Sequence, residues 1–473
     1  MDRCAARLHV LHCIMHSVCL CDVEALNEPP SAEVEIEMGK IIAEEICGEE
    51  SSKNKTVFTL TDDKIVAIKN EKRGSLALRN FFYAIFLPEG FPASVSSDYG
   101  TFQIFNTVAD FCSGVMGTIA TQSIMQGLGV GATATTALAA TMTLILKDGI
   151  GMIGRIIFAW AKGTNLDYEL KRWKIRADIL NNLAIFLEVI SPLAGTNFLY
   201  VVCFSALLRA VIGVTVAGIK PAILQHQAQR NNIGDVAAHN SSQETLAAIA
   251  ALIVSLCVMP FLTLSPWLSW SVFVCLVVLH LVANYCGLRS LFFQTFNPVR
   301  FHIAVRGFLQ SGKTHVPSMR DVNMREPILA TFPRKWQISV GDPVPKHVLS
   351  TENLSAICLL YEDEPYALFL DKHSHRLHVM LASRADQEDI LKGVFEAEYI
   401  LSFLKEGSED IKATADIMQQ CHEVVHEMFG SFKKIAELQG WTFRHASMGI
   451  REYRVNWRTT SVMNGNTAHV KDP

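Results

Sequence analysis

From Thr245 to Leu288, forty-four consecutive residues contain no Asp, Glu, Lys or Arg. A run of that length does not belong on the surface of a soluble domain, and it holds two spans of about the 20 residues that a bilayer crossing needs. Pro260 and Pro266 divide it, with Trp267 and Trp270 at the break, where an aromatic belt would meet the membrane interface. The remaining sequence has to build around this segment. Two other stretches are suited to it: no charge lies between Asp110 and Lys147, and Leu183 to Ile219 is interrupted only by Glu188 and Arg209.

Half of the 473 residues are hydrophobic and 19% are charged, against about 25% charged in an average soluble domain. The apolar excess lies between about Phe102 and Phe293, and both flanks have soluble composition. These contrasts divide the chain into an N-terminal region (1–75), a helical, membrane-embedded core (76–296) and a small soluble α+β domain (297–473). The fold class is mainly α, and the implied location is an integral membrane one.

A net charge of -4 offers no basic face, so nucleic acid is set aside as a partner. The twelve cysteines show neither paired CxxC units nor zinc spacing, and six of them (112, 203, 257, 275, 286, 358) lie in apolar runs, which reads as buried free thiols and no metal site.

At the N-terminus, Arg3 and Arg7 precede an apolar run that resembles a signal peptide, but His12 and His16 interrupt it and no small-residue cleavage site follows. The acidic stretch Glu28 to Glu50 reads as a surface linker. A hairpin is expected over Thr56 to Lys69. A helix over Leu76 to Leu87 would stop at Pro88.

The glycines at 127, 129 and 131 divide Asp110 to Lys147 into two apolar helices of moderate length, and the positive cluster Lys162 to Arg176 reads as a solvated loop. Ser241 or Ser242 is placed to cap the long apolar helix, with Glu244 near its positive end. In the last domain, strands are expected at Ala356–Tyr361, Tyr366–Leu370 and Leu377–Leu381, with a turn at Asp371–His375. Helices are expected at Asp386–Leu404 and Asp410–Leu438, ahead of a disordered tail after about Trp457.

Two nucleotide motifs are present in form. Gly307-Phe-Leu-Gln-Ser-Gly-Lys-Thr314 matches a P-loop, with Ile357 to Glu364 as a possible Walker B strand. A P-loop lysine opens a helix, yet Pro317 follows closely and Phe301 to Arg306 is only a weak strand. Gly149-Ile-Gly-Met-Ile-Gly154 matches GxGxxG, but its surroundings read as helix on both sides. Both are declined, and no cofactor is named.

What remains is a set of ionisable residues in apolar surroundings: Lys147, Asp148, Arg155, Asp178, Glu188 and Arg209. Charge in hydrocarbon pairs or faces a polar cavity. On one helix Lys147, Gly151 and Gly154 share a face, with Asp148, Met152 and Arg155 beside it, so glycine admits a second helix while the charges find partners. These residues either line a solute or cofactor pocket or form buried ion pairs that fix helix register, and Asn181, Asn182, Asp235 and Ser242-Gln-Glu244 are candidates to join either. No Ser/His/Asp or Cys/His arrangement marks a catalytic residue, and the chain is read as non-enzymatic.

Several motifs occur in a fixed order: Leu87-Pro-Glu-Gly-Phe-Pro92, Ser94-Val-Ser-Ser-Asp-Tyr99, Gln126-Gly-Leu-Gly-Val-Gly131, Leu146 to Arg155, Ala177-Asp-Ile-Leu-Asn-Asn182 and Leu187-Glu-Val-Ile-Ser-Pro192. Together they resemble the root UVB sensitive (RUS) family, over about Leu76 to Glu326. Asn297, Arg300, Gly312, Pro317 and Glu326 fit its later pattern, whereas Gln122, Asn182 and His239 depart from it.

The resemblance implies links to UV-B responses, development and vitamin B6 status, and association with other RUS-family chains or with a second copy. It implies no established reaction. The expected function is a regulatory or homeostatic membrane protein; the alternatives are a transporter or channel for a small solute and, more distantly, a P-loop nucleotide-binding enzyme.

Overall fold

The computed structural model describes residues 40–46, 55–61, 64–69, 83, 85–129, 137–162, 168–329, 336–343, 357–371, 373–403 and 411–457. The signal-like N-terminus, most of the helix expected before Pro88, Gly131 and the tail beyond Trp457 lie outside the described residues. The chain divides into two units, Met1–Leu76 and Ala77–Pro473.

The first unit contains a three-stranded antiparallel sheet, β1 (Lys40–Ile46), β2 (Lys55–Thr61) and β3 (Lys64–Lys69), in that order. β2 and β3 form the expected hairpin, with Thr61 opposite Lys64. β1 corrects the linker reading of the acidic stretch. Its isoleucines at 41, 42 and 46 supply strand propensity that the flanking glutamates mask.

The second unit opens with a helical bundle: α1 (Tyr99–Gly127), α2 (Ala137–Lys162), α3 (Leu170–Ile190), a 3-10 turn (Ser191–Asn197), α4 (Phe198–Gln227), α5 (Ile233–Leu264) and α6 (Pro266–Ser290). α1 is central and packs on α6, α5 and α3, while α2 and α3 pack on α4. Stretches Leu170–Gln227, Ile233–Leu264 and Pro266–Ser290 are long and apolar enough to cross a membrane.

The outer surface of these helices is apolar: Leu256, Phe261, Trp267 and Val278 are 76%, 63%, 85% and 56% exposed. An apolar surface this extensive marks a face that meets lipid or protein.

The bundle corrects four expectations. α1 and α2 are 29 and 26 residues long, longer than expected, because α1 begins well before Asp110 and α2 runs through the 149–154 glycines to Lys162. The positive cluster is not a solvated loop: Lys171 and Arg172 are buried on α3. α5 begins at Ile233, so Ser242 lies in its interior, donating to the Ala238 carbonyl, and caps nothing. Of the cysteines expected to be buried, Cys112 is, Cys203, Cys286 and Cys358 are half-buried, and Cys257 and Cys275 are exposed on the apolar surface.

After α6, β4 (Thr295–Phe296) leads into α7 (Pro298–Gln310) and α8 (Met319–Arg325). Then come β5 (Gln337–Val340), β6 (Tyr366–Asp371), β7 (Arg376–Leu381), α9 (Gln387–Phe403), α10 (Ile411–Leu438) and β8 (Thr442–Ala446). β5, β7 and β6 form one sheet in that order, with β5 parallel and β6 antiparallel to β7.

Residues 357–360, expected as a strand, are a helical turn, and the third strand of this sheet is β5 instead. β4 pairs with β8 in parallel, so the chain leaving the bundle is held by its own distant C-terminal region. Phe296 stacks on Trp441 at 4.2 Å and abuts Phe301 and Phe443, all four buried in one core with Phe308, Phe395 and Phe432.

Candidate functional site

Asp178 lies one turn along α3 from Lys174, and the Lys174 ammonium donates to its Oδ1 at 2.6 Å and to Asn284 Oδ1 on α6 at 2.9 Å. This is one wall of a cavity of about 310 Å³ lined by residues of α1, α3, α4, α5 and α6. On another wall, Lys220 of α4 donates to both carboxylate oxygens of Glu244 on α5, at 2.7 and 2.9 Å. From α1, Asp110 lines the same space and accepts from Asn106 Nδ2 at 2.8 Å. His280 lies between the side-chain amides of Asn182 and Asn284, at 3.0 and 3.1 Å.

Formal charge in this cavity is uneven. Lys174 is matched by Asp178 and Lys220 by Glu244, which leaves the Asp110 carboxylate without a cationic partner of its own among the lining residues. Asp178 is buried, and its Oδ2 has no hydrogen-bond partner. Buried polar atoms are ordinarily satisfied, and this acceptor is not.

Next to it, Tyr99 and Gln103 donate to Asn240 Oδ1, and Asn240 Nδ2 donates to Gln227 Oε1 at 3.2 Å. That network holds α1, α4 and α5 together beside the cavity.

The other anticipated residues gather elsewhere. Lys147, Asp148, Gly151 and Arg155 of α2, with Arg209 of α4, line a separate cleft of about 410 Å³. Gly151 and Gly154 do admit the second helix: a Cβ at Gly154 would stand 3.0 Å from Leu207 and 3.1 Å from Ala210. Asp148 and Arg155, expected to be buried, are exposed, because α2 packs chiefly on α4 and its outer face is uncovered.

Glu188 is buried and takes two hydrogen bonds from Arg209, one from Ser205 Oγ at 2.7 Å, and the charge of Lys147 at 3.9 Å. So Asp178 belongs to the central cavity, whereas Glu188 and Lys147 are ion-paired at the helix interface. Glu244 and Asn181, named with Asp178, do line the cavity; the sequence reading missed Asp110, Lys174, Lys220 and His280, of which Asp110 and Lys220 could have been signalled by charge at the margins of uncharged runs.

Neither nucleotide motif forms a phosphate cradle. Gly307 is inside α7, packed so closely on Pro317 that a Cβ would overlap its ring. Gly312 and Lys313, at φ of 70° and 69°, end that helix, and their amides donate to the carbonyls of Leu309 and Phe308. A P-loop places the lysine at a helix N-terminus with free amides, the reverse of this arrangement. Gly149 to Gly154 lie within α2. Among the described residues, no group of three or more His, Cys, Asp or Glu is placed to hold a metal ion.

The chain matches two family models, one described as vitamin B6 photo-protection and homoeostasis domain over residues 72–312, the other as root UVB sensitive protein, C-terminal, over residues 315–457. It belongs to the root UVB sensitive family. The RUS family member 1 of Dictyostelium discoideum is 35% identical over 283 residues, covering 59% of this chain, and the chain spans about half (53%) of that protein.

The root UVB sensitive 3 protein of Arabidopsis thaliana is 29% identical over 435 residues, 89% of this chain and 96% of its own length. Root UVB sensitive 6 of the same plant is 27% identical over 382 residues, with 76% and 75% covered. No solved structure matches the chain.

Proposed function

We propose that this RUS-family chain is an integral membrane protein that binds and carries a small, polar, cation-bearing solute in the central cavity, acting in solute homeostasis without catalysing a reaction. The observation that supports this reading is a polar cavity of about 310 Å³, with one more carboxylate than lysine, inside a bundle whose outer face is apolar. Ligand sites between helices have this character, and intramembrane charge that persists is ordinarily functional.

The description of the matching family model supplies the first solutes to try. Pyridoxine and pyridoxamine are small, rich in donors, and carry a basic nitrogen that suits Asp110. Purified protein in detergent is expected to bind labelled pyridoxine saturably, with at least a tenfold loss in Asp110→Asn. Wild-type protein that binds neither vitamer nor other small amines would remove the proposal.

A second reading, a regulatory component that assembles with other RUS-family chains or with itself, draws on α2. Met142, Ile145, Ile153, Ile156 and Trp160 are exposed along its outer face. Crosslinking in membranes through a cysteine at Ile153 separates the two: assembly gives a discrete oligomer, a lipid-facing α2 gives none.

A further inference from the structure

Where α3 and α4 meet the C-terminal domain there is another cavity, of about 300 Å³, lined among others by Lys171, His226, Asn297, Arg300, Glu326 and His445. Lys171, Arg300 and Glu326 are 3%, 5% and 5% exposed. Lys171 donates to the Leu291 carbonyl at 2.8 Å and to Asn323 Oδ1 at 3.0 Å, and stands 3.2 Å from Glu326 Oε2. Asn297 Nδ2 donates to Glu326 Oε1 at 2.8 Å. Glu326 is thus matched by Lys171.

Arg300 is the surplus. Its guanidinium lies 4.9 Å from the centre of the Phe293 ring and reaches Asn323 Oδ1 only at 3.5 Å, and its Nε has no hydrogen-bond partner. Asp98, the other buried carboxylate nearby, is already engaged by His226 at 2.9 Å, by the Phe292 amide at 2.7 Å and by Ser96.

A buried guanidinium with an unused donor, in the wall of a cavity, is costly unless an anion completes it. Burial accordingly pulls the Arg300 pKa down, while Glu326, although also buried, is held low by Arg300 and Lys171. Thr442 and Ser447 add hydroxyls to the same lining.

We propose that this junction cavity binds the phosphoryl group of a small phosphate monoester, anchored by Arg300 with Lys171 beside it. The planar guanidinium suits a tetrahedral group with several oxygens, the Lys171 ammonium, its donors already engaged, adds positive charge alone, and the volume leaves room for an organic body. The site is separate from the central cavity and does not depend on what binds there.

The test uses the purified full chain in detergent, with inorganic phosphate, glycerol phosphate and mixed micelles of phosphatidic acid as probes. Binding is read by calorimetry and as a shift in Tm. Saturable binding of glycerol phosphate would show a soluble ligand; saturation by phosphatidic acid alone would assign the same site to a lipid headgroup.

In either case Arg300→Gln is expected to weaken binding about tenfold or more. Gln225→Glu, which adds a carboxylate to the exposed rim without a change of shape, is expected to weaken it by about threefold. That second variant decides the matter where Arg300→Gln does not fold. Wild-type protein that binds none of the three probes, or variants that bind as tightly as wild type, would overturn the proposal.

Discussion

Glu188 on α3 and Arg209 on α4 are joined by two parallel hydrogen bonds, Arg209 Nε to Oε1 at 2.8 Å and Nη2 to Oε2 at 2.5 Å. The pair spans the 3-10 turn between the two helices and fixes their register. Removing one partner strands the other charge, which costs about 3 to 5 kcal/mol when the pair is fully buried.

Arg209 is 38% exposed, so Glu188→Gln is expected to cost only about 2 kcal/mol. The measurement is Tm in detergent. The charge-swapped double variant Glu188→Arg with Arg209→Glu should recover part of the loss, which a purely steric role for either residue does not predict.

In the C-terminal domain, Glu396 is fully buried and accepts from Tyr361 and Tyr366 hydroxyls, each at 2.7 Å, with His422 Nδ1 at 3.1 Å. The hydrogen bond to Glu396 raises the His422 pKa, against burial, which lowers it; Glu364 adds to the rise and Lys392 opposes it. Burial and Glu396 push both tyrosines up, so they stay protonated and keep donating.

A histidine raised in the folded state stabilises in full below its unfolded value of about 6.5, and that stabilisation is lost as pH rises through the folded value. Tm of the full chain, followed by tryptophan fluorescence, is expected to fall from about pH 6.5 upward. His422→Gln should flatten that slope.

Gly307 packs on Pro317 at the crossing of α7 with the following segment, where a Cβ would overlap the ring. Gly307→Ala is expected to cost about 1 to 3 kcal/mol in stability, read by denaturation of the full chain. Lys313, whose Nζ lies 5.4 Å from the centre of the Tyr399 ring, should cost under about 1 kcal/mol as Lys313→Ala. The opposite ranking would contradict this account of the packing.

How much of this was legible in the sequence depended on which signal each element left. The uncharged run announced α5 and α6, since composition alone marks long apolar helices, and Pro266 marked their boundary. Short apolar runs on either side of a polar turn announced β6 and β7. β1 was hidden by its glutamates, and the C-terminal end of α7 mimicked a P-loop because glycines that stop a helix read like glycines that open one.

Of the site, Asp178 stood out as a charge in an apolar setting. Glu244 stood out at the start of the long apolar run, but Lys220 did not, because it sits at the end of another and the pairing of the two across α4 and α5 is a tertiary fact. Burial of Lys171 likewise depends on the C-terminal domain closing over it, which no local pattern encodes.

The central claim, an apolar bundle in lipid around a polar cavity, is tested most directly by thiol accessibility in native membranes, in a chain whose other cysteines are serine. Cys257 and Cys275 are exposed on the outer face of α5 and α6, and Ser113 lines the cavity. A water-soluble methanethiosulfonate should modify Ser113→Cys while leaving Cys257 and Cys275 unreacted until detergent is added. Rapid modification of Cys257 and Cys275 in intact membranes opened to both sides, with Ser113→Cys inert, would contradict it.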